Sequence, residues 1–258
     1  KIIPDLVHMV TIKPVIYGGI VSKLIKIKQA VFAISGLGYV FTDSSLKAKL
    51  LKFFIKYLYK IALSHNNMFI IFQNKSDYKK INDLLNFKST AGVIINGSGV
   101  DLSSFYYQVE DIKQVPKILM VSRLLKDKGL MEFFNAAKIL NERKCNTSFS
   151  IIGDIDIGNP ASITYSDLIE MKNQKVVKFL GYQKEVQEII IESNIVVLPS
   201  YREGLPKVLI EAAACGRAVI TTDVPGCRDS IIHNETGLLV PVRSSIALAN
   251  AIEDLVNK

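Results

Sequence analysis

In the stretch SYREGLPKVLIEAAACG, residues 200–216, Glu203 precedes a Gly-Leu-Pro turn and Glu211 interrupts an apolar run. Pro206 sits where a helix would begin, because its missing N–H is no loss there, and Gly216 where it would stop; the spacing predicts a helix over 206–215. The amino end of that helix offers the N–H groups of Gly204, Leu205 and Lys207 and a partial positive charge, which suit a phosphate or an oxygen gaining negative charge. A carboxylate beside an anion site must face something else, and sugar hydroxyls, which both donate and accept, are a fitting partner for Glu203. Glu211, about a turn and a half further along, is placed to reach a second polyol such as a ribose. The plainer readings are that Glu203 caps the helix and that Glu211 pairs with a lysine on a solvated face. For Glu211 the neighbours Val208, Leu209, Ala212 and Ala213 argue for burial, where an acid needs a partner. Arg123 and Lys128 flank a second strand-to-helix passage, and two cations beside a helix N-terminus fit a diphosphate.

These residues need elements to hold them. Ten short β-branched runs, from DLVHMV and AVFAIS through KILMVS and NIVVLPS to RAVITTD and TGLLVP, alternate with helical patterns. Runs apolar on both faces and separated by helices predict buried parallel strands and an α/β fold. KILMVSR, a helix over 130–142 with Phe133, Phe134, Ala137 and Leu140 at helical spacing, and SFSIIGD make one βαβ unit. In an open α/β sheet a ligand sits beyond the carboxyl ends of the strands, and Arg123, Gly153-Asp154, Gly181 and Ser200 to Glu203 all fall at such ends, so one cleft is expected to hold them. The polar stretch YYQVEDIKQ fits neither period; it predicts a linker, with domains over 1–112 and 113–258.

With 258 residues, 49% of them hydrophobic, the chain can bury two modest cores. Its net charge of +8 is uneven: residues 1–112 carry 14 Lys and no Arg against 7 acids, the remainder 18 basic against 17 acidic residues. Cys145, Cys215 and Cys227 lack CxxC spacing, which argues against a zinc site or a disulfide framework and for a reducing compartment. Asn-x-Ser/Thr triplets at Asn96, Asn146 and Asn234 are read as chance, since no signal peptide heads the chain. No apolar run reaches the roughly 18–20 residues that span a bilayer. Residues 44–64 instead place Lys47, Lys49, Lys52, Lys56 and Lys60 among Leu, Phe, Ile and Tyr, the pattern of an amphipathic helix that can lie in an anionic headgroup interface or cover a core with its lysines at the rim. No nucleic-acid recognition motif accompanies the basic charge.

The series VSRLLKDKGL, GD, FLGY, LPSYREGLPKVLIEAAACGRAVITTDVPGCRD and TGLLVP resembles the retaining, nucleotide-sugar-dependent glycosyltransferases of family 4 across residues 117–250. VHMVTIKPVIYGG, SGLGYVFT and INGSGVDLSSF resemble its bacterial branch, which builds lipid-linked saccharides for capsule, O-antigen or protein glycosylation. The resemblance implies a GT-B fold, two Rossmann-like domains whose parallel sheets face across a cleft, in a chain truncated at the N-terminus and, where a closing helix is missing after Lys258, at the C-terminus. It implies that Arg123 and Lys128 hold the donor diphosphate, that Glu203 contacts the transferred sugar and Glu211 the ribose, and that Gly204 and Leu205 lend backbone N–H groups. Leu180, Gly181 and Tyr182 would lie beside the base. His8, at the end of the first strand, would face the donor sugar or acceptor, and Lys13 would touch an acceptor phosphate or sugar.

The expected donor is UDP-linked, the expected acceptor a polyprenyl-diphosphate-linked saccharide, and the expected location the cytoplasmic face of the plasma membrane, held peripherally. Negative charge developing on the leaving diphosphate would be stabilised by preplaced cations and N–H groups, with no metal or other cofactor. Asp154-x-Asp156 offers the rival chemistry, a DxD pair binding Mg²⁺ or Mn²⁺ through the diphosphate as in metal-dependent glycosyltransferases of the other major fold. A second alternative is a truncated, non-catalytic fragment that binds a nucleotide sugar without transferring it.

Overall fold

The computed structural model describes residues 4–37, 46–85, 91–97, 99–110 and 114–257. The side chains of Lys47, Lys49 and Lys52, the segment 38–42 of SGLGYVFT and the expected boundary at residue 112 lie outside the described residues. Contacts divide the chain into two units, Lys1–Ser98 with Arg202–Leu205, and Gly99–Tyr201 with Pro206–Lys258.

The first unit is a parallel sheet in the order β1-β2-β3-β4, formed by β1 (Leu6–Val10), β2 (Gln29–Ile34), β3 (Met68–Phe72) and β4 (Gly92–Ile94). Helices α1 (Ile12–Leu24), α2 (Leu46–Ala62) and α3 (Lys75–Leu85) alternate with the strands. Strand β2 shows why the pattern folds this way: Ala30, Phe32 and Ile34 are buried at every second position, as the pleat requires. They pack with Met9, Val15, Ile16, Tyr59, Ile70, Phe72 and Ile81 in one core. Burial, and then the charge of Asp77, pushes the Tyr59 phenol well above its ordinary value. Arg202 belongs here by its contacts: it pairs with the fully buried Asp77, and the Asn74 amide donates to Asp77 Oδ2 (3.1 Å) and to the carbonyl of Gly204 (2.9 Å).

The second unit is a six-stranded parallel sheet in the order β10-β9-β8-β5-β6-β7. Its strands are β5 (Lys117–Val121), β6 (Ser148–Ile152), β7 (Lys178–Phe179), β8 (Ile195–Leu198), β9 (Ala218–Thr222) and β10 (Gly237–Val240), and its helices α4 (Leu130–Glu142), α5 (Tyr165–Asn173), α6 (Gln187–Ile191), α7 (Lys207–Ala214) and α8 (Ser245–Val256). Alternate residues of one strand feed two cores. Ile118, Met120, Ile195 and Val197 meet Phe133, Phe134, Leu248 and Ile252 of α4 and α8, while Leu119, Val196 and Leu198 meet Ile190, Leu209 and Ala212 of α6 and α7. Coverage on both faces is what made the strands read as continuous apolar runs.

Three placements differ from the sequence reading. Residues 99–110 pack with the second unit, so the division by contacts falls earlier than residue 112: Phe105 enters a core of that unit, and the buried Arg217 donates to the carbonyls of Gln108, Cys215 (3.0 Å), Ile191 and Ser193 (both 3.3 Å). Helix α7 starts at Lys207 because Pro206, with ψ 119°, is extended and serves as its N-cap. His8 is the middle residue of β1 rather than its end, since pairing with β2 continues through Val10.

Candidate functional site

The chain runs from β5 outward through β6 and β7 on one side, then returns to place β8, β9 and β10 on the other. The loops after β5 and β8 therefore leave the sheet in opposite directions at a topological switch point, where open α/β sheets form their ligand crevice. Arg123 follows β5 by two residues and Tyr201 follows β8 by three.

Backbone contacts tie these loops together. The Tyr201 N–H donates to the Asp127 carbonyl (2.9 Å), and Gly129, at φ 75°, lies so close to the Pro199 carbonyl that a Cβ there would collide with it. Only glycine meets both demands at low cost. Gly129 closes a one-turn 3-10 helix, Lys126–Lys128, and opens α4, so Lys128 stands immediately before the electropositive end of a 13-residue helix. The Arg123 side chain is 60% accessible and pairs through Nη1 with Asp156 Oδ2.

The loop after β6 adds a third wall. Gly153, at φ 139°, packs against the Ser122 carbonyl, its N–H donates to the Gly181 carbonyl (2.9 Å), and Asp154 Oδ2 accepts from the Tyr182 N–H (3.2 Å). Leu180 and Gly181 are half-buried there, and Tyr182 is exposed. The second unit thus brings Arg123, Lys128 and Leu180–Tyr182 to one end of its sheet.

Glu211, on α7, is buried with Oε1 at 3.1 Å from Lys207 Nζ. It has the lysine partner that the sequence allowed, but on a covered rather than a solvated face. Asp101 also feels the Lys207 charge; its carboxyl is held low chiefly by the Ser103 hydroxyl (2.7 Å) and amide (2.9 Å). Glu203, Gly204 and Leu205 form the loop between β8 and α7 and count with the first unit by their contacts. His8, exposed on β1, and Lys13, exposed in the first turn of α1, are also in the first unit.

Asp154 and Asp156 are both engaged by protein groups. Asp156 accepts from Asn159 Nδ2 (2.9 Å) and from Arg123, and these two, the amide first, hold its carboxyl below the usual carboxylate range. Among the described residues no group of three or more His, Cys, Asp or Glu side chains is arranged to hold a metal ion.

One cluster escaped the sequence reading. The Tyr201 hydroxyl donates to Oε1 of the buried Glu132 (2.7 Å), and the Arg243 guanidinium lies 4.8 Å above the Tyr201 ring. Burial, reinforced by Glu132, pushes the Tyr201 hydroxyl up to about 12. An acid between the α4 start and the buried Phe133-Phe134 was the available signal.

Two family models match. "Glycosyl transferases group 1" covers residues 106–258, and "Glycosyl transferase 4-like" covers residues 1–74. An N,N'-diacetylbacillosaminyl-diphospho-undecaprenol alpha-1,3-N-acetylgalactosaminyltransferase of Campylobacter jejuni is 30% identical over 98% of this chain and 68% of its own length. The UDP-Gal:alpha-D-GlcNAc-diphosphoundecaprenol alpha-1,3-galactosyltransferase of Escherichia coli is 28% identical over 96% and 65%, and the capsular polysaccharide glycosyltransferase CapM of Staphylococcus aureus 30% identical over 80% and 57%. The chain thus spans between about half and two thirds of the curated relatives it matches. Among solved structures, Anabaena HepE in complex with UDP aligns at TM-score 0.79 and 18% identity over 98% of this chain and 69% of that one, and the sucrose-phosphate synthase of Thermosynechococcus elongatus at 0.80 and 24% over 98% and 65%. Two parallel-sheet α/β units, a site at the switch point of the second and family models over both halves lead to one conclusion: the chain belongs to the group 1 glycosyl transferases, the family 4 enzymes of GT-B architecture.

Proposed function

We propose that this chain is the donor-binding unit, with part of the acceptor-binding unit, of a retaining glycosyltransferase that moves a sugar from a UDP-sugar to a polyprenyl-diphosphate-linked saccharide at the cytoplasmic face of the membrane. The observation that carries the reading is the placement of Arg123 and Lys128 at the β5–β8 switch point, directly ahead of α4. Two cations and a helix N-terminus favour the charge that develops on a departing diphosphate more than the charge already present in the donor, which is how such groups lower a barrier. Glu211 takes the ribose and Glu203 the transferred sugar, with Gly204 and Leu205 donating through their backbones; Leu180 to Tyr182 border the base. His8 and Lys13 serve the acceptor side. The acceptor hydroxyl attacks from the face that the diphosphate leaves, and the leaving phosphate takes its proton.

No helix among the described residues is long and apolar enough to cross a membrane. Helix α2 instead exposes Phe53, Phe54 and Tyr57 beside exposed Lys56 and Lys60, aromatic and cationic groups suited to an anionic headgroup interface. The C. jejuni and E. coli relatives, whose names place their substrates on undecaprenyl diphosphate, support a membrane-borne acceptor.

The test is transfer from a panel of UDP-sugars to an undecaprenyl-diphosphate-linked acceptor, with and without EDTA. Transfer unchanged by EDTA is expected. Loss in EDTA restored by Mn²⁺ overturns the metal-free mechanism, and binding without transfer overturns the enzymatic reading of this chain.

A further inference from the structure

We propose that Asp156 is a positioning residue for Arg123, and that the loop carrying it, residues 153–163, is a brace that presets the diphosphate end of the second unit. The proposal rests on the donor reading of Arg123 given above.

An exposed arginine on a loop is a poor electrostatic catalyst unless something fixes it, because ordering a free guanidinium costs side-chain entropy. Asp156 supplies the fixing point. Its Oδ2 accepts from Arg123 Nη1, and among the described residues no other hydrogen bond engages the guanidinium, which leaves its remaining N–H groups for phosphate oxygens. An arginine can hold a carboxylate on one edge and a phosphate on another.

Asp156 is itself held from several directions. Asn159 Nδ2 donates to its Oδ2 (2.9 Å), its own N–H donates to Ser162 Oγ (3.1 Å), and its carbonyl accepts from the Asn159 N–H (3.0 Å). Asn159 Oδ1 in turn accepts from the Ala161 N–H (3.0 Å). The loop is laced to the segment that bears Arg123: Leu124 N–H to the Asp154 carbonyl (3.0 Å), Lys126 N–H to Ala161 (2.8 Å) and Ile163 N–H to Leu124 (3.1 Å). Ile163, 2% accessible, anchors it in the core with Phe133. The carboxylate that aims Arg123 is therefore registered against the same backbone that leads to Lys128. The second acid of the DxD spacing thus has a task that needs no metal, and the first, Asp154, accepts from the Tyr182 N–H and braces the neighbouring segment.

A double-mutant cycle read by calorimetric titration of UDP and of UMP tests this, using Asp156→Ala, Asp156→Asn, Arg123→Ala and Arg123→Ala with Asp156→Ala, each checked for an unchanged melting profile. Asp156→Ala should weaken UDP about tenfold and UMP much less, because the charge that Arg123 is proposed to stabilise develops on the phosphate that leaves the sugar, which UMP lacks. Asp156→Asn should recover most of the loss, since its amide oxygen still accepts from Nη1, and Asp156→Ala should cost nothing further in the Arg123→Ala background. The same tenfold loss in that background, or equal losses for UDP and UMP, overturns the positioning role while the donor reading stands. Failure of the unaltered protein to bind UDP overturns both. If Asp156→Ala does not fold, the cycle is run with Asp156→Ser, whose shorter side chain does not reach Nη1, and the same loss of UDP affinity with and without Arg123 overturns the proposal.

Discussion

Strand β8 of the second unit is buried along all four of its residues, whereas β1 of the first unit exposes Leu6, His8 and Val10 and is followed by a helix that exposes Tyr17, Val21 and Leu24. A strand packed on both faces fixes the point from which its loop departs. Residues two or three positions beyond it, such as Arg123 and Tyr201, inherit that precision. Residues on a half-covered edge, such as His8, present chemistry on a surface instead. The described residues of the first unit thus offer apolar and basic surface, and those of the second unit offer loop positions set by covered strands.

The largest effect that tests this contrast is on the cores. Phe133→Ala should cost about 3–5 kcal/mol in urea unfolding, and Phe32→Ala a similar amount, because both rings are fully buried. The two changes should move different transitions, as the rings lie in separate cores. One shared transition moved equally by both would erase the distinction between the units.

A smaller effect sharpens the account of the switch point. Tyr201→Phe removes the hydroxyl that Glu132 accepts and should cost about 1–3 kcal/mol, the penalty for a buried acceptor losing its donor. The Tyr201 hydroxyl is raised to about 12 from its ordinary 10.0, so its contribution is fully present below the unfolded value and is lost as pH rises through the folded one. The stability difference between the two proteins should be flat from neutral pH to about 10 and shrink above it. A difference that shrinks near neutrality would contradict that environment.

Sequence pattern went furthest where periodicity was strongest. All ten apolar runs are strands, and α4 spans the expected 130–142, since Phe133, Phe134, Ala137 and Leu140 face one core. It went astray where a local cue was ambiguous: Pro206 fits both a first helical residue and an extended cap, and only two residues of KVVKFLG pair as β7. The Lys207–Glu211 pair was visible as a four-residue spacing. Arg123 with Asp156 and Tyr201 with Glu132 were not, since they join loops and helices 33 and 69 residues apart. Local propensity says nothing about such meetings.

The smallest effect concerns the first unit. Replacing Lys56 and Lys60 on α2 with Glu should weaken binding to anionic vesicles by about 1 kcal/mol for each lysine lost, read by flotation. Unchanged flotation would leave α2 as a helix that covers its core and nothing more.

On the donor reading, the switch point of the second unit holds a nucleotide diphosphate through Arg123. Calorimetric titration compares UDP binding by the unaltered protein and by Arg123→Ala. Saturable binding that weakens at least about tenfold in the variant is the predicted result, since hydrogen bonds to charged groups contribute about 1.5–3 kcal/mol. Equal affinity in the two proteins, or no binding by either, would contradict it.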